Sequence, residues 1–135
     1  MRHPAVIGAL LTLASCTPLP NTVGEAAPSG TVFSLVEVND APATYGATLR
    51  LLGSGRVLGA GPCNRFTARQ SAPLPWVEIS DIEASTRSCP QIRQEEAFFL
   101  ALEAMDFSEL AGDSLLLSND AGQSLFFRAA EGPSS

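Results

Sequence analysis

Residues 48–69 read TLRLLGSGRVLGAGPCNRFTAR, and their patterning decides the fold class. Leu49 and Leu51 alternate with Thr48 and Arg50, the period of two that marks a half-buried strand. Gly53-Ser54-Gly55 then turns the chain into Arg56 to Ala60, so the two segments form a hairpin. Cys63 to Arg69 supplies the next strand. Upstream, Thr31 to Val38 is rich in β-branched and aromatic residues and ends at the turn signal Asn39-Asp40. Downstream, Pro73 and Pro75 interrupt the ladder before Trp76 to Ser80, which places that segment at an edge or a strand start. Ser114 to Ser118 and Gln123 to Arg128 flank Asn119-Asp120-Ala121-Gly122, the clearest hairpin in the chain. Trp76 either packs in the core or anchors an exposed edge, and the core is favoured because burying an indole removes much apolar area from water.

One helix interrupts this β pattern. Pro90 suits a first helical turn, and Ser88 followed three residues later by Gln91 fits a capping box. Glu95 and Glu96 sit early, near the positive end of the helix dipole. Ile92, Phe99, Leu102 and Met105 fall close to one stripe with Phe98 beside it, and the stripe reads as core-facing rather than as a binding groove. Asp106 and Phe107 are exit residues. Six or seven strands and one late helix predict an α+β, mostly β domain: a small, strongly curved antiparallel sheet with the helix packed on it.

The amino terminus carries a different signal. Arg2 is followed by an uninterrupted non-ionisable run, Pro4 to Leu13, too short to span a bilayer as a helix. Leu13-Ala14-Ser15-Cys16 then matches the bacterial lipobox, in which the cysteine is acylated and the chain is cut before it. Residues 1–15 are thus expected to be a lipoprotein signal peptide. The alternative is an ordinary secretory signal with a chance cysteine. Two or three acyl chains anchor stably where one would not, since each buried CH₂ contributes about 0.8 kcal/mol. Residues 16–30, rich in Pro, Gly and Ala without periodicity, read as a flexible tether. Residues 31–130 then form one domain, and the tail 131–135 reads as a frayed end.

Composition narrows the function. The cut chain keeps seven arginines against fourteen carboxylates, a formal side-chain charge of −7, and there is no lysine anywhere. Such a chain is a poor nucleic-acid partner, because neutralising phosphates supplies most of that affinity. Its hold on a membrane has to come from the lipid rather than from a polybasic patch. The single histidine, His3, lies in the removed segment. The mature protein therefore has no imidazole for general base work, for a Ser/His or Cys/His pair, or for metal ligation. Carboxylate-only chemistry remains open, but the acidic residues are scattered, and an enzyme is the weaker reading.

After lipidation two cysteines remain, Cys63 and Cys89. An even number in an exported domain favours a disulfide, which would close a loop of about 27 residues and remove roughly 3.5 kcal/mol of unfolded-state entropy. Separately buried thiols, or one reactive thiol, are the alternatives. Two thiolates without histidine leave a metal shell short. Asn64, a short polar residue after a Gly-rich turn, is expected to hydrogen-bond its own backbone.

These residues carry a resemblance. The run Gly59-Ala60-Gly61-Pro62-Cys63-Asn64, an aromatic at Phe66, and Thr86-Arg87-Ser88-Cys89-Pro90 after a β segment resemble the META domain family (domain of unknown function 306). Glu95, Phe98 and Ala101-Leu102 continue the match into the helix, and Asp113 to Leu117 resembles the family's last Leu-x-Leu strand. Departures include Phe33 where a tryptophan is frequent, the inserted Pro62, Thr67-Ala68 where a glycine usually follows the aromatic, and Arg87-Ser88 before the second cysteine. The resemblance implies envelope lipoproteins tied to stress tolerance, with no established reaction, cofactor or catalytic residue to carry over. The expectation is a non-enzymatic structural or binding component of the cell envelope, held by its lipid and facing the periplasm. It takes no cofactor, and an envelope protein is its expected partner. Thr17 is not the aspartate associated with inner-membrane retention, which favours the outer membrane. A small-ligand carrier and an inhibitor of an exported enzyme are the competing readings.

Overall fold

The computed structural model describes residues 2–10 and 18–129. The lipobox cysteine Cys16 and the tail 131–135 lie outside the described residues. Residues 2–10 form neither helix nor strand, and Val6, Ile7 and Leu10 are exposed.

The chain is α+β and mostly β, as its alternation predicts. Its strands are β1 (Phe33–Val38), β2 (Ala41–Pro42), β3 (Thr48–Leu51), β4 (Arg56–Ala60), β5 (Arg65–Ser71), β6 (Glu78–Ala84), β7 (Phe107–Ala111), β8 (Ser114–Ser118) and β9 (Ser124–Ala129). A short helix α1 (Val23–Ala26) precedes them, and α2 (Ile92–Ala104) joins β6 to β7. Eight strands follow one antiparallel path, β6-β5-β4-β3-β1-β9-β8-β7, with β2 folded back on β1 through the Asn39-Asp40 turn. Both turn residues have positive φ, which Asn and Asp tolerate better than most.

The sheet curls into a half-barrel. Two register shifts help it bend: one in β1 between Leu35 and Glu37, the other in the β5–β6 pairing opposite Asp81, whose φ is 54°. Gly59 contributes at an inward position between Leu49 and Phe66, its cross-strand partners. A Cβ there would lie 2.5 Å from Phe66 Cζ, so only glycine lets the ring fold across the strand. The two ends of the path meet at one point. Trp76 and Phe107 form an antiparallel bridge, the Val77 N–H donates to Asp106 O at 2.8 Å, and the Ser108 N–H donates to Pro75 O at 2.8 Å.

Inward-facing side chains fill the half-barrel: Phe33, Leu49, Val57, Leu115, Leu125 and Phe127 are all essentially fully buried. Helix α2 lies against β6 and β9 and adds Phe98, whose ring sits edge-on to Phe66, Phe127 and Tyr45 with centroids 6.1–6.4 Å apart. Aromatic pairs at this separation contribute about 0.5–1.5 kcal/mol each beyond burial.

Several expectations are corrected. The buried helix stripe is Glu95, Phe98, Leu102 and Met105, while Ile92 and Phe99 are only partly buried. Phe98 is therefore at the centre of the stripe rather than beside it. Ser88 does not cap the helix: Gln91 is the N-cap residue without a side-chain hydrogen bond, and Pro90 lies in the turn before it. Phe107 begins β7 instead of merely leaving the helix. Trp76 is half exposed, because at the seam its ring meets Phe107 on one side only.

Residues 21–27, read as tether, are docked on the domain. Val23 and Ala27 join the core, Thr22 Oγ1 accepts the Glu25 N–H at 3.2 Å, and the Leu74 N–H donates to Asn21 O at 2.8 Å. Burying Val23 alone is worth about 1.5–3 kcal/mol, enough to order a four-residue helix that has no periodicity to announce it.

Candidate functional site

The motif residues of the sequence converge on one corner, where the β4–β5 turn meets the start of α2. Cys63 and Cys89 form a disulfide there, with Cα atoms 5.6 Å apart. The expected bridge thus joins the turn to the segment entering the helix, 26 residues on.

Beside it lies a polar contact that the sequence does not announce. Glu95, only 1% exposed, points from the buried stripe of α2 into the β4–β5 turn. Its Oε2 accepts the backbone N–H of Cys63 and of Asn64, each at 2.7 Å, and its Oε1 accepts Asn64 Nδ2 at 2.6 Å. Asn64 Nδ2 also donates to Arg87 O at 2.9 Å. Asn64 Oδ1 accepts the Arg87 N–H at 2.7 Å and the Ser85 hydroxyl at 3.0 Å. Both amide protons and both lone-pair directions of Asn64 are thereby used. The expectation that Asn64 serves its own turn is corrected: it ties the turn to residues 85–87 and to the helix. Gly61 makes room, since a Cβ there would sit 2.6 Å from Glu95 Oε2.

Glu95 lies in the first turn of α2, as its early position predicts, but its carboxylate does more than face the helix dipole. The carboxylate is spent on backbone amides of a different element, an arrangement that compensates the cost of burying its charge. A glutamate at a core-stripe position of an amphipathic helix is the signal that could have revealed it, because such a group is buried only when it has partners.

Around this corner the surface is open, and between residues 84–88 and the start of α2 it holds an apolar cleft of about 380 Å³ bordered by Ala84, Ile92 and Phe99. A shallow cleft of about 580 Å³ is bordered by Gly61, Pro62, Arg65, Ser85 and Arg87. A wider one, about 1120 Å³, lies on the outer face of β4, β5 and β6. There Arg56 and Arg69 are direct cross-strand neighbours, and Arg69 Nε lies 3.7 Å from Asp81 Oδ2. That ion pair is mostly exposed and so worth at most about 1 kcal/mol. Among the described residues no group of three or more His, Cys, Asp or Glu is placed to hold a metal ion, and no helix is long and apolar enough to cross a membrane. Tyr45, packed against Phe98, has its hydroxyl pKa raised from the ordinary value of 10.0 by burial.

The sequence profile of the META domain matches residues 27–132. The chain belongs to the META domain family. Its fold recurs in two solved structures: a protein from Burkholderia xenovorans determined by NMR and a DUF4847 family protein from Bacteroides vulgatus determined by crystallography. The first is 19% identical, with a TM-score of 0.64 over 86% of this chain and 93% of that one. The second is 14% identical, with a TM-score of 0.60 over 80% of this chain and 98% of that one. At these identities the likeness is one of fold. None of the curated proteins matches the chain in sequence. Within this META domain, the residues that carry the family resemblance, Cys63, Asn64, Cys89 and Glu95, are thus the ones fastening α2 to the sheet.

Proposed function

We propose that this META protein is a lipid-anchored, periplasm-facing component of the cell envelope whose domain is a structural or binding module rather than an enzyme. The observation that carries the reading is the saturation of the Asn64–Glu95 corner. The two buried polar side chains of the family motif, Asn64 and Glu95, are consumed in intramolecular hydrogen bonds, so neither is left free to polarise a substrate or move a proton. The packed half-barrel supports the same reading over the carrier alternative, because Phe33, Phe98 and Phe127 occupy the space that a ligand would need. Anchoring rests on Leu13-Ala14-Ser15-Cys16. Thr17 after the anchor favours the outer membrane, and tolerance of envelope stress is the physiological setting that the family suggests.

The test joins two measurements on protein from its native envelope. Intact mass and detergent-phase partitioning should find wild-type chain cut before Cys16 and carrying acyl groups, with both lost in Cys16→Ser. The purified protein should show no turnover across esterase, peptidase and glycosidase panels. A mature chain without acyl mass would remove the anchor, and an activity abolished by one Asp or Glu substitution would make it an enzyme.

A further inference from the structure

The half-barrel closes at its surface on an aromatic pair. The Trp76 and Phe107 rings are tilted by 33° with centroids 4.6 Å apart, and Trp76 keeps 50% of its surface exposed. Leu100 on α2 is also exposed, at 69%, but every other aromatic side chain among the described residues is buried or partly buried, so a half-exposed indole on the seam needs a reason. The amino-terminal segment supplies one. The Leu74 N–H bonds Asn21 O at 2.8 Å, which holds residue 21 against the strand start carrying Trp76. Helix α1, immediately after it, lies along β7, the strand that begins with Phe107. Leu19, two residues before Asn21, is 91% exposed. Cys16 is five residues from Asn21, and five extended residues reach at most about 17 Å.

We propose that the Trp76–Phe107 seam docks on the lipid surface to which Cys16 anchors the chain. The inference rests on acylation of Cys16 and adds an orientation to it. With the anchor this close, the seam is held near the headgroup layer, where Trp is favoured because its ring is apolar and its N–H can stay hydrated. Leu19 enters with it. The exposed carboxylates of Glu78 and Asp106 flank the pair. The contact is therefore aromatic rather than electrostatic, and anionic lipid weakens it. The domain lies with its seam toward the membrane, leaving the Arg56–Arg69 face of β4 and β5 free for the aqueous side.

Trp76 is the chain's single tryptophan, so its fluorescence reports this surface alone. The acylated full-length mature protein is reconstituted in phosphatidylcholine vesicles with and without brominated acyl chains, and vesicle flotation is measured in parallel. Docking predicts flotation, a blue-shifted Trp76 emission, and quenching by brominated lipid that weakens as phosphatidylglycerol is added. Flotation with unquenched, water-like emission overturns docking and leaves the anchor intact. Failure to float overturns the anchor, and docking with it. A blue shift that follows protein concentration and ignores brominated lipid assigns the seam to a second copy and also overturns the proposal.

Discussion

Glu95 and Asn64 hold each other twice: Oε2 takes the Asn64 backbone N–H at 2.7 Å and Oε1 takes its side-chain amide at 2.6 Å. The pair is buried and 31 residues apart, and it fixes where α2 sits relative to the sheet. Glu95→Ala leaves three donors facing a void, so it should cost at least about 3 kcal/mol. Glu95→Gln keeps the size but turns an acceptor into a donor that faces donors, and should cost about 1.5–3 kcal/mol. Thermal melts with calorimetry check both. A Gln variant melting with wild type would show that the charge is not needed.

The disulfide and this pair restrain the same turn. Cys63→Ser with Cys89→Ser should lower stability by about 2–5 kcal/mol while the fold persists, because the Glu95 hydrogen bonds remain. Combining it with Glu95→Gln should give a non-additive loss, since both changes release one loop. Denaturant titration of the four variants measures the coupling. Strict additivity would mean that the two restraints act independently.

Tyr45 gives the chain an alkaline weakness. Its pKa is raised by burial, so the folded state binds the phenolic proton more tightly than the unfolded state does. The stability associated with that proton is complete below the unfolded pKa of about 10 and is lost as pH rises through the higher folded value. Tyr45 is the only tyrosine, so phenolate absorbance follows it alone. Titration of the folded protein should lie above that of the unfolded chain, and Tyr45→Phe should flatten the alkaline decline. A titration at the model-peptide value would refute the shift.

Glycines should divide into two groups by what surrounds them. Gly59→Ala and Gly61→Ala each drive a Cβ into a neighbour, the Phe66 ring or the Glu95 carboxylate, and should cost about 1–3 kcal/mol. Gly53 has open space and no left-handed backbone. Gly53→Ala should therefore be neutral or gain about 0.4–1 kcal/mol by restricting the unfolded chain. Urea midpoints compare the three directly, and equal effects would contradict the division.

Much of this architecture was legible in residue patterns because each signal is local. Alternation marked β3, the Gly53-Ser54-Gly55 turn marked β4, Asn119 and Gly122 marked the β8–β9 hairpin, and the amphipathic helix α2 stood out against short strands. Strand β7 escaped because Phe107–Ala111 starts only two residues beyond the helix and has one fully buried position, Ser108. Helix α1 escaped because four residues are too few for a period to show.

What the sequence determined by itself is the fold class, the order of its main elements, a chain with no lysine and with His3 as its single histidine, and the two domain cysteines available to pair. Those properties depend on composition and on spacing within one element. The tertiary structure alone decided that Glu95 would spend its charge on the turn at Cys63 and Asn64, that Asn64 would join three segments, and that Trp76 would meet Phe107 at the seam with half its surface still in water. Each of these depends on residues about 30 positions apart in the chain, brought together by the curl of the sheet. No pattern along the chain encodes that distance, because it is set by how far eight strands bend around a shared core.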